Sequence, residues 1–304
     1  GNGFLEDEQV SIAHTVYNIN NRTPVLNGAS AVDNLPPAIV VGNGPSLDRL
    51  LPILKEISGR CVIFSCGTTT GTLYRHGIVP DFHVEMERIG GTTRRIVNGT
   101  DEAYRDKINL LALNTVSPST MDLFKNRYMA KKVNDPGEKI IDTEFGEKIP
   151  YLNLSNPTCT NTGLSYAQHM GFKEIYLFGV DLGMHDKEQH HASASQYYDK
   201  DKKPLFASSE TRVNIKARGN FGGEVMTTVT MDTSRANMEM SARLNPDCNI
   251  YNPNDGALID GTITIKPEAI EIDAAFSKAG IVEGILANNF TPMPDKKEIT
   301  AADV

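Results

Sequence analysis

Short apolar runs separated by amphipathic stretches recur along the chain. Ala38-Ile39-Val40-Val41-Gly42 is a continuous apolar run, the pattern of a strand buried on both faces. Leu47, Leu50, Leu51, Leu54 and Ile57 follow at helical spacing. Pro52 has no N–H to donate, so the regular helix is expected to start near it. Further apolar runs predict strands at 61–66, 82–86, 108–113, 174–179 and 249–252, with an edge strand at 128–133. Helices are predicted at 118–127, 162–170 and 233–244. Residues 135–157 read as polar and turn-rich, and 182–220 as a long polar loop. Residues 1–35 carry a weak helical stripe (Leu5, Ile12, Val16, Ile19) and end at Pro36-Pro37.

Strands alternating with helices predict an α/β fold: a mostly parallel, Rossmann-like sheet with helices on both faces. The expected organisation is an N-terminal helical linker over 1–36 and a sheet-based domain over 37–261. Residues 262–304 then form a C-terminal helical extension or the start of a following domain. Ligands of such sheets bind beyond the C-terminal ends of the strands. That rule selects 42–46, 66–70, Glu87, Asn114, 179–181 and Asn252.

The loop Gly42-Asn43-Gly44-Pro45-Ser46 is the most informative stretch. Its glycines permit close backbone approach to a ligand, Asn43 offers donor and acceptor, and Ser46 could cap the next helix. The alternative is an ordinary strand-to-helix turn. Neither GxxxxGK[ST] nor GxGxxG is present. Asn161-Thr162-Gly163 opens another helix, with Thr162 as its cap and free N–H groups for an anion. Asp181 ends a buried strand and could orient a ribose, bind Mg²⁺ or pin the next loop. Glu87 is a second acidic strand end. The 182–220 stretch carries His185, His190, His191, Tyr197 and Tyr198, where a histidine could act as a general base. None of them has zinc-ligand spacing, and no metal site is expected.

Composition narrows the partners. The 304 residues carry a formal charge of -8 without a Lys/Arg block, which argues against a nucleic-acid partner. No apolar run approaches the ~18 residues of a membrane span. The first thirty residues have no basic start with an apolar core, so a cytoplasmic protein is expected. Cys61, Cys66, Cys159 and Cys248 include no CxxC pair and read as free thiols.

The stretch Ile39-Val40-Val41-Gly42-Asn43-Gly44-Pro45-Ser46-Leu47-Asp48 resembles the signature of the motility accessory factor (Maf) flagellin glycosyltransferases. The resemblance is to their central module, the domain of unknown function 115. His76-Gly77-Ile78-Val79-Pro80-Asp81-Phe82, the run from Lys173 to Leu182 and Asn252-Pro253-Asn254-Asp255-Gly256-Ala257-Leu258-Ile259 resemble further blocks, in order across 38–261. The same blocks are similar to bacterial CMP-sialic-acid-dependent sialyltransferases. That likeness implies a glycosyltransferase-A-like, sialyltransferase-like variant of the fold. Loop 42–46 and the segment Asn161-Thr162-Gly163 would then bind CMP, with Cys66, Gly67, Glu87, Asn114 and Asn252 around them.

The resemblance implies a CMP-activated nonulosonic acid (pseudaminic or legionaminic type) as donor, with no further cofactor required. It implies flagellin Ser/Thr hydroxyls as acceptor. The chain departs from the sialyltransferases in having Cys66-Gly67 and Glu87 at two asparagine positions. It also has no histidine near Val229, where their catalytic one falls. The base is therefore open, with Asp181, His190 and His191 as candidates and Tyr197 or Tyr198 for the departing phosphate. The module is shared with archaeal-type 6-hydroxymethylpterin diphosphokinases, whose Mg²⁺-ATP would suit Glu87 and Asp181. A non-catalytic flagellin-docking module is the remaining alternative.

Overall fold

Branched and aromatic residues fill the short runs because helices cover both faces of the sheet. The computed structural model describes residues 2–28, 34–185, 193, 215–275, 277–300 and 302–303. The early strands are β1 (Val25–Leu26), β2 (Ala38–Val41), β3 (Val62–Cys66), β4 (Phe82–Glu85), β5 (Asn109–Leu113), β6 (Asn126–Lys132) and β7 (Tyr151–Leu152). They are followed by β8 (Glu174–Phe178), β9 (Ile215–Arg218), β10 (Glu224–Thr227), β11 (Asn249–Asn252), β12 (Ile263–Thr264) and β13 (Phe290–Thr291). The helices are α1 (Asn2–Asn20), α2 (Leu47–Ile57), α3 (Thr69–Arg75), α4 (Gly91–Gly99), α5 (Glu102–Arg105), α6 (Pro118–Met121), α7 (Glu138–Phe145), α8 (Cys159–His169), α9 (Val229–Leu244) and α10 (Ile281–Asn289).

One sheet runs in the order β12-β11-β8-β2-β3-β4-β5-β6-β1-β13, with β7 beside β6. Its neighbours are parallel apart from the antiparallel pair of β1 and β13. Hairpin β9–β10 stands apart and joins the core through bridges at Met184–Met226 and Gly219–Ala257. The mostly parallel α/β sheet expected from the sequence is therefore present.

Alternation along each strand feeds two apolar layers. Ala38 and Val40 of β2 pack into the layer beneath α8, with Phe64, Phe82, Val84, Leu164 and Tyr166. Ile39 and Val41 pack on the opposite layer, against the leucine stripe of α2 and Ile63. Helix α8 lies close over β2, β3 and β4 because Gly163 faces the sheet: a Cβ there would stand 2.7 Å from the Cys66 sulfur.

Several elements differ from the sequence expectation. Helix α2 begins at Leu47 rather than near Pro52, since its apolar stripe is buried from the first turn and Pro52 lies on the exposed side. Strand β6 is interior: β5 flanks it on one side, β1 and β7 on the other. Its partner β1 is two residues long and set in polar sequence, which hides it from pattern reading. Helix α6 stops at Met121 because 126–132 enters the sheet. The turn-rich stretch 135–157 holds α7 and β7. Segments 1–36 and 262–304 each add strands to the same sheet, β1 from the first and β12 and β13 from the second.

Interior β6 carries a buried cation. Lys131 is fully buried; its Nζ donates to Asp142 Oδ1 at 2.6 Å and lies 4.3 Å from the Tyr151 ring centre. Removing one partner of such a pair strands the other. Lys131→Ala is expected to lower the unfolding free energy by about 2–4 kcal/mol in urea titrations. Lys131→Met combined with Asp142→Leu removes both charges and is expected to recover most of that loss; an alanine variant as stable as the parent would contradict this.

Candidate functional site

The strand order reverses at β2, which has β3 on one side and β8 on the other. Loops leaving strands at such a switch point diverge and leave a crevice. Here a cleft of about 360 Å³ opens, within the size range of ligand sites. Gly42, Asn43, Gly44 and Pro45 line it after β2, Cys66, Gly67 and Thr68 after β3, and Gly179, Val180 and Asp181 after β8.

The floor is made by two backbones in contact. Gly42 N–H donates to Phe178 O and Gly44 N–H to Gly179 O, each at 2.8 Å. A Cβ on Gly42 would stand 2.6 Å from Gly179 O, and one on Gly179 would stand 2.4 Å from Gly42 O. Gly179 also has φ +66, a conformation that favours glycine.

Asp181 fixes this loop from behind. Its carboxylate accepts the Ser46 backbone N–H, at 3.2 Å to each oxygen, and the Ser46 hydroxyl at 2.5 Å. Ser46 Oγ in turn accepts the Asp255 N–H at 2.8 Å. The Asp181 carbonyl accepts the Ala257 N–H at 2.7 Å, so segment 252–257 is drawn into the same knot. Burial pushes the Asp181 carboxyl up to about 6, against the lowering effect of the Ser46 bonds. Asn43 ties the loop forward: its Nδ2 donates to Thr68 Oγ1 at 3.1 Å, and its Oδ1 accepts the Thr72 hydroxyl at 3.0 Å.

The opposite wall is the start of α8. Thr158 caps this helix, accepting from Asn161 N–H, and Thr158, Cys159 and Thr160 line the cleft. The positive end of an 11-residue helix therefore faces the cleft. Arg95 of α4 adds a cation, with one N–H on Thr92 Oγ1 at 3.0 Å. Glu85 and Glu87 add carboxylates from the end of β4. Burial pushes the thiols of Cys66 and Cys159 up, so neither is a thiolate nucleophile at neutral pH.

A family model described as 6-hydroxymethylpterin diphosphokinase MptE-like matches residues 12–187. The chain belongs to the MptE-like family. Among solved structures, the MAf glycosyltransferase of Magnetospirillum magneticum AMB-1 aligns with a TM-score of 0.80 and 27% identity. The alignment covers 96% of this chain and 43% of that one, so this chain spans less than half the length of that relative. Both findings bear out the Maf resemblance seen in loop 42–46. Comparison with curated protein sequences gives no match.

In this MptE-like chain the structure brings together Gly42, Asn43, Gly44, Pro45, Cys66, Gly67, Glu87 and Asp181 on the cleft. Ser46 stands behind it and caps nothing: it has helical φ and ψ, and its hydroxyl serves Asp181. Three groups of expected ligand residues have internal roles instead. Asn114 is fully buried, donating to Thr15 Oγ1 and accepting the Lys132 N–H, each at 2.8 Å, which fastens α1 to the sheet. Asn252 is fully buried and accepts from Asn254 inside the 252–257 turn. Asn161, Thr162 and Gly163 lie within α8 rather than before it; Thr162 donates to Ser155 O at 2.7 Å. The cap is Thr158, because the helix begins earlier than its apolar pattern suggests. His190, His191, Tyr197 and Tyr198 lie outside the described residues.

Sequence reading missed Glu85, Arg95, the 158–160 wall, and Thr230 with Met231 at the start of α9. The signal for Glu85 was present in β4, where His83 and Glu85 alternate with Phe82 and Val84.

Between about pH 4 and 6 the folded chain keeps a proton on Asp181 that the unfolded chain has released. Stability from this group therefore falls as pH rises through that window and is level above it. The unfolding free energy of the parent minus that of Asp181→Asn is expected to drop by up to about 3 kcal/mol from pH 4 to 6.5. Urea titrations at each pH measure it, and a difference independent of pH would contradict the assignment.

Proposed function

We propose that this chain is the nucleotide-sugar-binding catalytic part of a Maf-type glycosyltransferase. In this reading it moves a nonulosonic acid of the pseudaminic or legionaminic type from CMP to Ser or Thr hydroxyls of flagellin, in the cytoplasm. The fold match to a MAf glycosyltransferase over 96% of the chain carries the proposal. The donor class rests on the likeness of loop 42–46 to the CMP-binding loop of bacterial sialyltransferases.

CMP-nonulosonic acids carry a phosphate leaving group on a tertiary anomeric carbon, so bond breaking runs ahead of attack. The site then has to stabilise the departing phosphate and accept one proton. Arg95 and the positive end of α8 supply charge for the phosphate. Backbone N–H groups and asparagine, rather than a broad basic surface, suit a single nucleotide on an acidic chain.

A second reading, a 6-hydroxymethylpterin diphosphokinase using Mg²⁺-ATP, is favoured by the family model over 12–187. It asks Glu87 and Asp181 to serve the metal-nucleotide. The Asp181 oxygens instead accept from Ser46, which leaves Glu87 as the free carboxylate of that pair.

CMP at about 100 times its dissociation constant is expected to add about 2.7 kcal/mol and raise the melting temperature by several degrees. Asn43→Ala, which cuts the loop from Thr68 and Thr72, is expected to weaken CMP binding about 10-fold in calorimetry. Tight Mg²⁺-ATP binding without CMP binding would instead select the diphosphokinase.

A further inference from the structure

The layer beneath α2 and its neighbour under α4 and α6 are apolar: Ile63, Leu73 and Ile78 on one side, Leu110, Ala112 and Phe124 on the other. Strand β4 inserts two ionisable side chains between them. His83 is fully buried and stacks on Phe124 at 5.5 Å; Glu85 is 2% exposed. Ionisable groups in such a layer cost stability against apolar residues of the same size, and buried pairs of this kind cluster at functional sites.

Their bonds give the pair a direction. The Ser65 hydroxyl lies 2.9 Å from His83 Nδ1, and His83 Nε2 lies 3.1 Å from Glu85 Oε1. When the Ser65 hydroxyl donates to Nδ1 rather than to Phe82 O at 3.4 Å, a neutral ring carries its proton on Nε2 and donates it to Oε1. Oε2 is left at the cleft wall, where its contact is the weak Cys159 thiol donor at 3.8 Å. The other carboxylates on the cleft among the described residues differ from it. Asp181 accepts from Ser46 on both oxygens, and Glu87 is half-buried. Glu85 is thus the cleft carboxylate held in one orientation with an oxygen available.

We infer that Glu85 is the proton acceptor for the incoming acceptor hydroxyl, with His83 as its positioning residue. This rests on the glycosyltransferase reading above. The acceptor oxygen forms its bond to the anomeric carbon as the carbon–phosphate oxygen bond breaks. The electron pair leaves with CMP, and the hydroxyl proton goes to Glu85 Oε2. The ionisable groups facing Glu85 are His83, Cys66, Cys159, Glu87 and Arg95.

The test compares parent, Glu85→Gln, Glu85→Asp, Glu85→Ala and His83→Gln with CMP-nonulosonic acid and flagellin, following both sugar transfer and CMP release. Glu85→Gln is expected to lower the transfer kcat at least 100-fold while CMP affinity in calorimetry stays within about 3-fold. Glu85→Asp keeps a carboxylate and is expected to retain more activity than the glutamine variant. Added formate is expected to restore part of the rate of Glu85→Ala. His83→Gln is expected to shift the acidic limb of the kcat–pH profile and leave CMP affinity unchanged. A Glu85→Gln variant that transfers at the parent rate, or loses CMP binding in step with turnover, overturns the role of Glu85 alone. If the parent neither transfers sugar nor releases CMP, the glycosyltransferase reading fails instead. Should Glu85→Gln fail to fold, the aspartate variant decides: an unchanged rate and pH profile overturns the proposal.

Discussion

Everything at the cleft hangs on the bond set between Asp181 and Ser46. One carboxylate, at the end of β8, takes the N–H and the hydroxyl that close the loop after β2. Its own carbonyl holds the segment after β11 through Ala257. Three strand ends that are far apart in sequence are thereby fixed to one another where the strand order reverses. Without that link the loop would keep its two backbone bonds to 178–179, the Asn43 ties to Thr68 and Thr72 and the Asp255 N–H on Ser46 Oγ, but Ser46 would lose its hold on the chain leaving β8. Buried carboxylates are costly to desolvate, and here the Ser46 N–H and hydroxyl offset that cost only in part.

Hydrogen bonds fix two walls of the cleft. The loop after β2 is tied on both sides, to Asp181 behind and to Thr68 and Thr72 in front. The start of α8 is fixed by its capping box and by Ser234, whose hydroxyl donates to Asn161 at 2.6 Å. In the proposed transfer, rigid donors would suit a leaving phosphate, because charge that develops in such a reaction meets dipoles that need no rearrangement.

Much of this was legible in the sequence because buried parallel strands announce themselves as unbroken apolar runs. The runs at β2, β3, β4, β5, β8 and β11 were read where they stand, and so was the rule that their ends form the site. Two-residue strands such as β1, β7 and β13 carry too little pattern to be seen. The polar strand-end residues were harder to sort. An asparagine that binds a ligand and one that fastens a helix use the same donor and acceptor. Only the fold shows that Asn114 and Asn252 face inward while Asn43 faces the cleft. Thr158 was passed over because its capping role lies one turn before the apolar stripe of α8 begins. Glu85 was hidden in plain view, inside a run read as core.

The two glycines of the floor have one more consequence. Each occupies the space in which the other would carry a side chain, so neither position can vary alone, and a paired change is barred by the backbone angle at Gly179. The floor is therefore a frozen part of the architecture, open to no gradual tailoring. Descendants of this fold that came to prefer a different ligand would have had to rebuild the rim instead: the 158–160 turn, the start of α9, and residues 182–184. Diversity in such a lineage should be concentrated on those walls, over a base that stays the same.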